Sequence, residues 1–206
     1  MRVTKYAQSC MVVEHPDGGR LLIDPGNVAM DAVGFDDLGA IDAVLFTHRH
    51  ADHFDPRAVA AILETAAPIY ANADVCAQID GGAATPIADG QTFTAAGIEI
   101  VAHDMPHVEM VDGSAGPPNT GFVLDGRLLH PGDAVDVGSV RVSAVAVPIA
   151  GPSISFRRAY QMIEAVRADI AVPIHYDLFL ADPQQFARFC DIAQVVVLAD
   201  GETTEV

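Results

Sequence analysis

Residues 42–56 read DAVLFTHRHADHFDP. The run Ala43 to Phe46 has no polar face, which predicts a strand covered on a face by helices, as in parallel sheets. Directly after it come His48, His50 and His53, three of the chain's eight histidines, with Asp52 among them. A core strand that ends on so many imidazoles must open into a polar site that other segments complete.

Three further apolar segments end in the same way. His103 and His107 follow IEIV, Asp133 follows RLLHPG, and His175 follows IAVPI. Sites on α/β sheets are assembled from strand-terminal loops brought together in space. The chemistry of HxHxDH suits a metal site with two positions. Histidines at i and i+2 of an extended segment can approach one cation, and the adjacent Asp52 and His53 can turn to another. Imidazole and carboxylate without thiolate suit zinc, with manganese or iron as alternatives. Two cations roughly 3.5 to 4 Å apart need about seven protein ligands, one of them bridging. The inventory is His48, His50 and His107 for one cation, Asp52, His53 and His175 for the other, and Asp133 between them. His103 is the alternative to His107, or both approach the site, with His107 favoured. Asp133 also reads as a turn residue after Pro-Gly.

The remaining residues bound the function class. With 206 residues, half hydrophobic and 19% charged, the chain suits one globular domain spanning 1–206. No apolar run reaches the ~18 to 20 residues that cross a bilayer, and the N-terminus does not read as a signal peptide. Cys10, Cys76 and Cys190 are an odd, widely spaced set, which points to reduced thiols and a cytoplasmic setting. Eleven Lys and Arg against 28 Asp and Glu leave a net charge of −17. That balance weighs against nucleic acid as a partner and against anionic membranes.

Along the chain, strands are expected at Cys10 to Glu14 and Arg20 to Ile23 around a Pro-Asp-Gly-Gly turn. Asp55-Pro56 marks a helix start, an N-cap followed by Pro at the first position, running to about Thr65. PIYA reads as a strand, and Asn72 to Ile79 as a short helix. GQTFTAAGIEIVAH and GFVLDGRLLH read as hairpins, the second turning at Asp125-Gly126. RVSAVAVPI and IAVPI are strands flanking a helix from about Ser155 to Ala168. Asp182-Pro183 opens another helix, and QVVVLA is expected as the closing strand.

These residues resemble the metallo-β-lactamase superfamily, whose T-H-x-H-x-D-H hallmark stands here as THRHADH. His107, HPGD ending at Asp133, and PIH ending at His175 are similar to its later hallmarks. Within it the chain looks most like the branch of ascorbate-6-phosphate lactonase-like proteins and metal-dependent hydrolases, through LLIDPG, PNTGFVLDG, LLHPGD, VPIAGP and AVPIHY. The resemblance implies an α/β fold, an αββα sandwich of two mixed sheets with the metals at one edge. Asp24 in LIDPG reads either as a turn residue or as an acceptor that orients a ligand imidazole, and the resemblance favours the second. That branch often carries His where Gln8 stands, which leaves the role of this position open. A flavodiiron pattern would put a carboxylate at the second histidine, so His50 speaks against reduction of oxygen or nitric oxide.

The expected function is hydrolysis of a small ester or lactone by a hydroxide bridging two divalent metals, with the small-molecule substrate as the only partner implied. Asp52 is expected to hold its metal and the hydroxide in line. Tyr176 is either an oxyanion donor or a packed aromatic. His15 and His130 read as structural, and little is expected of Arg49, Arg157 and Arg158. The loop Gly113 to Gly121 is either a lid or a plain connection. A phosphate on the substrate is tolerable, since two cations can offset its charge. The alternatives are a phosphodiesterase or nuclease of the same fold and a non-catalytic metal-binding protein. Oligomeric state is not legible.

Overall fold

The computed structural model describes residues 1–206. One mixed sheet contains β1 (Arg2–Lys5), β2 (Met11–Glu14), β3 (Arg20–Ile23), β4 (Ala43–Phe46), β5 (Ile69–Ala71) and β6 (Ala84–Pro86) in sequential order. The second contains β7 (Thr92–Ala95), β8 (Ile98–Asp104), β9 (Thr120–Leu124), β10 (Leu128–His130), β11 (Ala144–Pro148), β12 (Ile170–Ile174) and β13 (Gln194–Val195). β14 (Thr203–Glu205) returns to the first sheet and pairs with β1. The helices α1 (Asn27–Ala32), α2 (Pro56–Thr65) and α3 (Ala73–Cys76) pack on the first sheet, and α4 (Phe156–Val166) and α5 (Pro183–Phe189) on the second. Two mixed sheets with helices outside make the αββα sandwich.

Period-two alternation builds these layers. In β4, Ala43 and Leu45 enter the cluster between the sheets, while Val44 and Phe46 face the helices. In β11, Ala144 and Ala146 face the other sheet and Val145 and Val147 face α4 and α5. Strands buried on both faces show no polar alternation, which is why these segments read as continuous apolar runs.

Helix boundaries follow their caps. The Asp55 side chain accepts from the Arg57 amide at 2.8 Å, Pro56 takes the first position, and the helix ends at Thr65 with Ala66 left-handed. Ser155 caps α4, which presents Ala159, Met162, Ile163 and Val166 to the core and stops at Val166, two residues earlier than expected, because Arg167 turns left-handed.

The expectation of a closing strand in QVVVLA needs correction. Only Gln194 and Val195 pair with β12, and the chain then crosses to the other sheet, where Thr203 to Glu205 cover the edge of β1. β1, α1, β6 and β14 were not anticipated. They are short and carry weak periodicity, and the partner of β14 lies at the other end of the chain.

Strand direction places the site. β1 and β3 share a direction because both are antiparallel to β2, and β3 runs parallel to β4. β8 and β10 share a direction through β9, and β10, β11 and β12 are parallel. The segments that follow β1, β3 and β4 therefore gather on one edge of their sheet, and those that follow β8, β10, β11 and β12 on one edge of theirs. The Thr120 amide donates to the Thr47 carbonyl at 3.0 Å, and the Asn72 side-chain amide donates to Thr120 Oγ1 at 3.3 Å. These bonds tie the two edges together.

Candidate metal centre

All seven proposed ligands occupy segments just past the ends of β4, β8, β10 and β12, with His48, His50, Asp52 and His53 together in the loop after β4. The structure sorts them into two groups, His48, His50, His107 and Asp133 in one and Asp52, His53 and His175 in the other, with ligand atoms within 4.8 Å of one another in each. In the first, His50 Nδ1 is 3.1 Å from His48 Nε2 and 3.2 Å from His107 Nε2, and His107 Nε2 is 3.3 Å from Asp133 Oδ2. In the second, His175 Nε2 is 3.3 Å from Asp52 Oδ2, and His53 Nε2 is 3.8 Å from it. Asp133 stands between the groups, with Oδ1 3.0 Å from His53 Nε2 and Oδ2 3.1 Å from His175 Nε2. Tetrahedral coordination with bonds of ~2.0 to 2.1 Å separates its ligand atoms by ~3.3 to 3.4 Å. The observed spacings bracket that figure.

The outer nitrogens of the imidazoles are already committed. His53 Nδ1 lies 2.7 Å from Asp24 Oδ2, His175 Nδ1 2.6 Å from the Ala150 carbonyl, and His107 Nδ1 2.6 Å from the Val108 carbonyl. Donation to these acceptors leaves each Nε2 lone pair facing inward, as a ligand requires. His53 Nε2, His175 Nε2 and Asp133 Oδ1 are buried without an aligned hydrogen-bond partner. Buried polar atoms are seldom left so, and three that converge on one place fit a shared cation.

Electrostatics divide the groups further. Burial, reinforced by His53, pushes His48 well below the ordinary imidazole range, and burial together with His107 lowers His50. Burial also opposes charge on His53 and His175, but carboxylates outweigh it. Asp133 and Asp24 hold His53 well above its usual value, and Asp133 and Asp52 raise His175 to about 9. Both carboxylates overcome burial in the opposite direction, Asp52 through the adjacent His175 and His53, Asp133 through His53 and His175. His48 and His50 thus present neutral imidazoles, whereas His53 and His175 hold protons that a cation would displace.

The supporting frame contains residues the sequence did not single out. The Thr47 amide and hydroxyl donate to Asp24 at 2.8 and 2.7 Å. The Asn119 side-chain amide donates to the Met105 and Pro131 carbonyls, both at 2.9 Å, and its Oδ1 accepts from the Asp133 amide at 3.3 Å. Asn119 thereby fixes one end of the Gly113 to Gly121 loop. Inside that loop, a Cβ on Gly116 would fall 2.3 Å from His107 Nδ1, so only glycine lets the loop lie against the imidazole. A polar residue at a strand terminus, as in FTH and PNTG, is the signal that could have pointed to Thr47 and Asn119.

Gln8, left open by the sequence, is fully buried. Its Nε2 donates to Asp52 Oδ2 at 2.9 Å, and its Oε1 accepts from the Leu178 amide at 3.2 Å. Its own amide donates to Asp177 Oδ2 at 2.6 Å, and its carbonyl accepts from the His175 amide at 2.9 Å. Gln8, Asp24 and His175 all take positive φ, at 62°, 49° and 59°. Such conformations cost non-glycine residues of order 1 to 3 kcal/mol and persist only where surroundings impose them. Lys5, buried beneath, pairs with Asp177 and Asp200 at 3.3 and 3.2 Å.

Tyr176 requires correction. Its hydroxyl donates to the Leu198 carbonyl at 3.3 Å and its ring packs in the core under Lys5, outside the cavity at the site. Neighbouring side chains project in different directions, so adjacency to His175 did not bring Tyr176 to the same place. His103 lies outside both ligand groups, beside a separate hollow of about 450 Å³. His130 is buried with Nε2 2.9 Å from the Ser9 carbonyl, a structural placement, and Arg49 pairs with Asp74 at 2.9 Å.

A family model described as a β-lactamase superfamily domain matches residues 2–175. The chain belongs to that superfamily. It is 31% identical to the Mycobacterium tuberculosis protein Rv0786c over 88% of this chain and 87% of the other. It is 28% identical to a metal-dependent hydrolase of Methanopyrus kandleri over the whole of both chains. Igni18, described as a novel metallo hydrolase from Ignicoccus hospitalis, superposes with a TM-score of 0.78 at 23% identity, covering 100% of this chain and 98% of that one. This last likeness speaks for the metallo-β-lactamase fold alone. No helix in this superfamily member is long and apolar enough to cross a membrane.

Proposed function

We propose that this protein is a metal-dependent hydrolase that holds two divalent cations, zinc first among them, and cleaves a small ester or lactone. His48, His50 and His107 would hold one cation, Asp52, His53 and His175 the other, and Asp133 would serve both. The observation that carries the reading is Asp133, a buried carboxylate within 3.3 Å of imidazoles from both groups. The metal-dependent hydrolase of Methanopyrus kandleri, alike over its full length, supports the same class.

When bound, the cations would supply hydroxide at neutral pH and polarise the carbonyl under attack. The residues do the rest. Asp52, held ionised and fixed by Gln8, would hold its cation and set the line along which the attacking water approaches. Asp24, Ala150 and Val108 lock the imidazole tautomers. Leu178 and Phe179 flank the cavity and limit access of bulk water. The site needs no serine or cysteine nucleophile.

The test is hydrolysis of small lactones and esters by zinc- or manganese-reconstituted protein, set against cleavage of single-stranded RNA at low salt. Turnover of the first, abolished by chelator and by Asp133→Ala, is expected, with no processing of RNA. RNA cleavage by a protein that ignores every lactone and ester would replace this reading with a nuclease.

A further inference from the structure

The cavity at the site is about 290 Å³, near the lower bound of the ~300 to 1,000 Å³ usual for ligand pockets. None of the chain's eleven Lys and Arg side chains lines it. Arg49, flanked by two of the proposed ligands, turns away to Asp74 at 2.9 Å. Lys5 is spent beneath the floor on Asp177 and Asp200. Arg158 donates to the Ser153 carbonyl at 2.7 Å. Apart from the proposed ligands, the only charged side chain on the lining is the carboxylate of Glu109.

The remaining wall is apolar, built by Val108, Met110, Pro152, Leu178 and Phe179. The Phe179 ring lies 5.3 Å from the His175 ring. Leu178, Phe179 and Leu180 are 56%, 38% and 91% exposed, a run of three apolar side chains in water. Such a run disfavours solubility and calls for a functional reason. The backbone presents it deliberately. The Leu178 amide is bonded to Gln8 Oε1 at 3.2 Å, the Phe179 and Ala181 amides to the Tyr176 carbonyl at 3.2 and 3.3 Å, and Leu180 is held at φ 53°. Across the mouth, Met110 opens a turn closed by its amide on the Ser114 carbonyl at 2.9 Å, which leaves Val111 86% exposed.

We infer that the site selects an uncharged ester or lactone that carries an apolar acyl or aryl arm, and discriminates against substrates with a phosphate or carboxylate on that arm. The inference rests on the hydrolase reading above and names its substrate class. The cations would engage the scissile carbonyl, so a second anionic group falls on the rim. There it meets Glu109 and hydrocarbon, with no cation to receive it. An apolar arm instead displaces water from Met110, Leu178 and Phe179.

The test is a series of lactones and matched esters with arms of increasing alkyl length, beside arms of equal length ending in phosphate, on zinc-reconstituted protein. Each added methylene should raise kcat/KM about three- to fourfold until the pocket is filled. A terminal phosphate should lower it at least tenfold. Leu178→Ser should flatten the dependence on length, and Glu109→Lys should narrow the penalty for phosphate. A flat series, or a preference for phosphate arms, overturns the inference while chelator-sensitive turnover leaves the hydrolase reading intact. If no compound is turned over, that reading fails, and calorimetry with unreactive lactams decides the inference separately. Tighter binding of the alkyl-armed lactam upholds it, and equal or tighter binding of the phosphate-armed one overturns it.

Discussion

Gln8 donates to Asp52 at 2.9 Å while its own carbonyl receives the amide of His175, so one residue of the β1–β2 loop positions two members of the same half-site. The carboxamide has only one workable orientation. Asp52 is ionised and can only accept, and the Leu178 amide can only donate.

Gln8→Ala should weaken the cation at Asp52, His53 and His175 by roughly 10- to 100-fold, the usual cost of losing a group that orients a ligand. Gln8→His keeps a donor and should restore part of that loss, whereas Gln8→Glu sets a carboxylate against Asp52 and should be worse than Ala. Competition with a chromophoric chelator measures all three. Unchanged affinity in Gln8→Ala would reduce the contact to packing.

Metal stoichiometry tests the two groups directly. Elemental analysis after mild zinc reconstitution should approach two equivalents per chain. Asp52→Ala and His53→Ala should lower it toward one, and His107→Ala should also lose metal. His103→Ala should keep both equivalents, because His103 stands apart from the cluster. A ceiling of one equivalent, unaffected by Asp52→Ala and His53→Ala, would end the dinuclear proposal.

A pH dependence follows from His175. Among the protein groups alone its folded value is raised to about 9, above the ~6.5 of an unfolded histidine. Its stabilising contribution is therefore complete below ~6.5 and is lost as pH rises through about 9. Bound zinc requires the imidazole without its proton and does not share that loss. The difference in melting temperature between zinc-loaded and chelator-treated protein should widen from pH 6.5 to 9. A constant difference over that interval would mean that His175 is not proton-coupled to the cation.

Tyr176→Phe separates an oxyanion donor from a packed ring. With the hydroxyl bonded to the Leu198 carbonyl, the variant should keep kcat within about twofold and lose roughly 0.5 to 1.5 kcal/mol of stability. Paired kinetics and urea titration give both numbers. A hundredfold fall in kcat with unaltered stability would return Tyr176 to the chemistry.

By itself the sequence determined the main strands, the helix starts and the chemical kind of the site, while the two-sheet layering was what the family resemblance implies. Both-face-buried runs such as Ala43 to Phe46 specify strands between core and helices, and Asp-Pro pairs specify helix starts, because these rest on local periodicity and capping. The T-H-x-H-x-D-H stretch carries four candidate ligands within six residues, so it is readable without any fold. Only the tertiary structure decided how β14 closes on β1, why His107 rather than His103 joins the cluster, where Tyr176 points and what Gln8 does. Each of these depends on a partner remote in sequence, on strand direction or on side-chain orientation. Asp52 is 44 residues from Gln8, and the loop after β8 turns His107 inward only because Asn119 and Gly116 hold it there. Pattern along a chain encodes period and composition, whereas a contact between distant loops exists only once two sheets have packed and their edges have met.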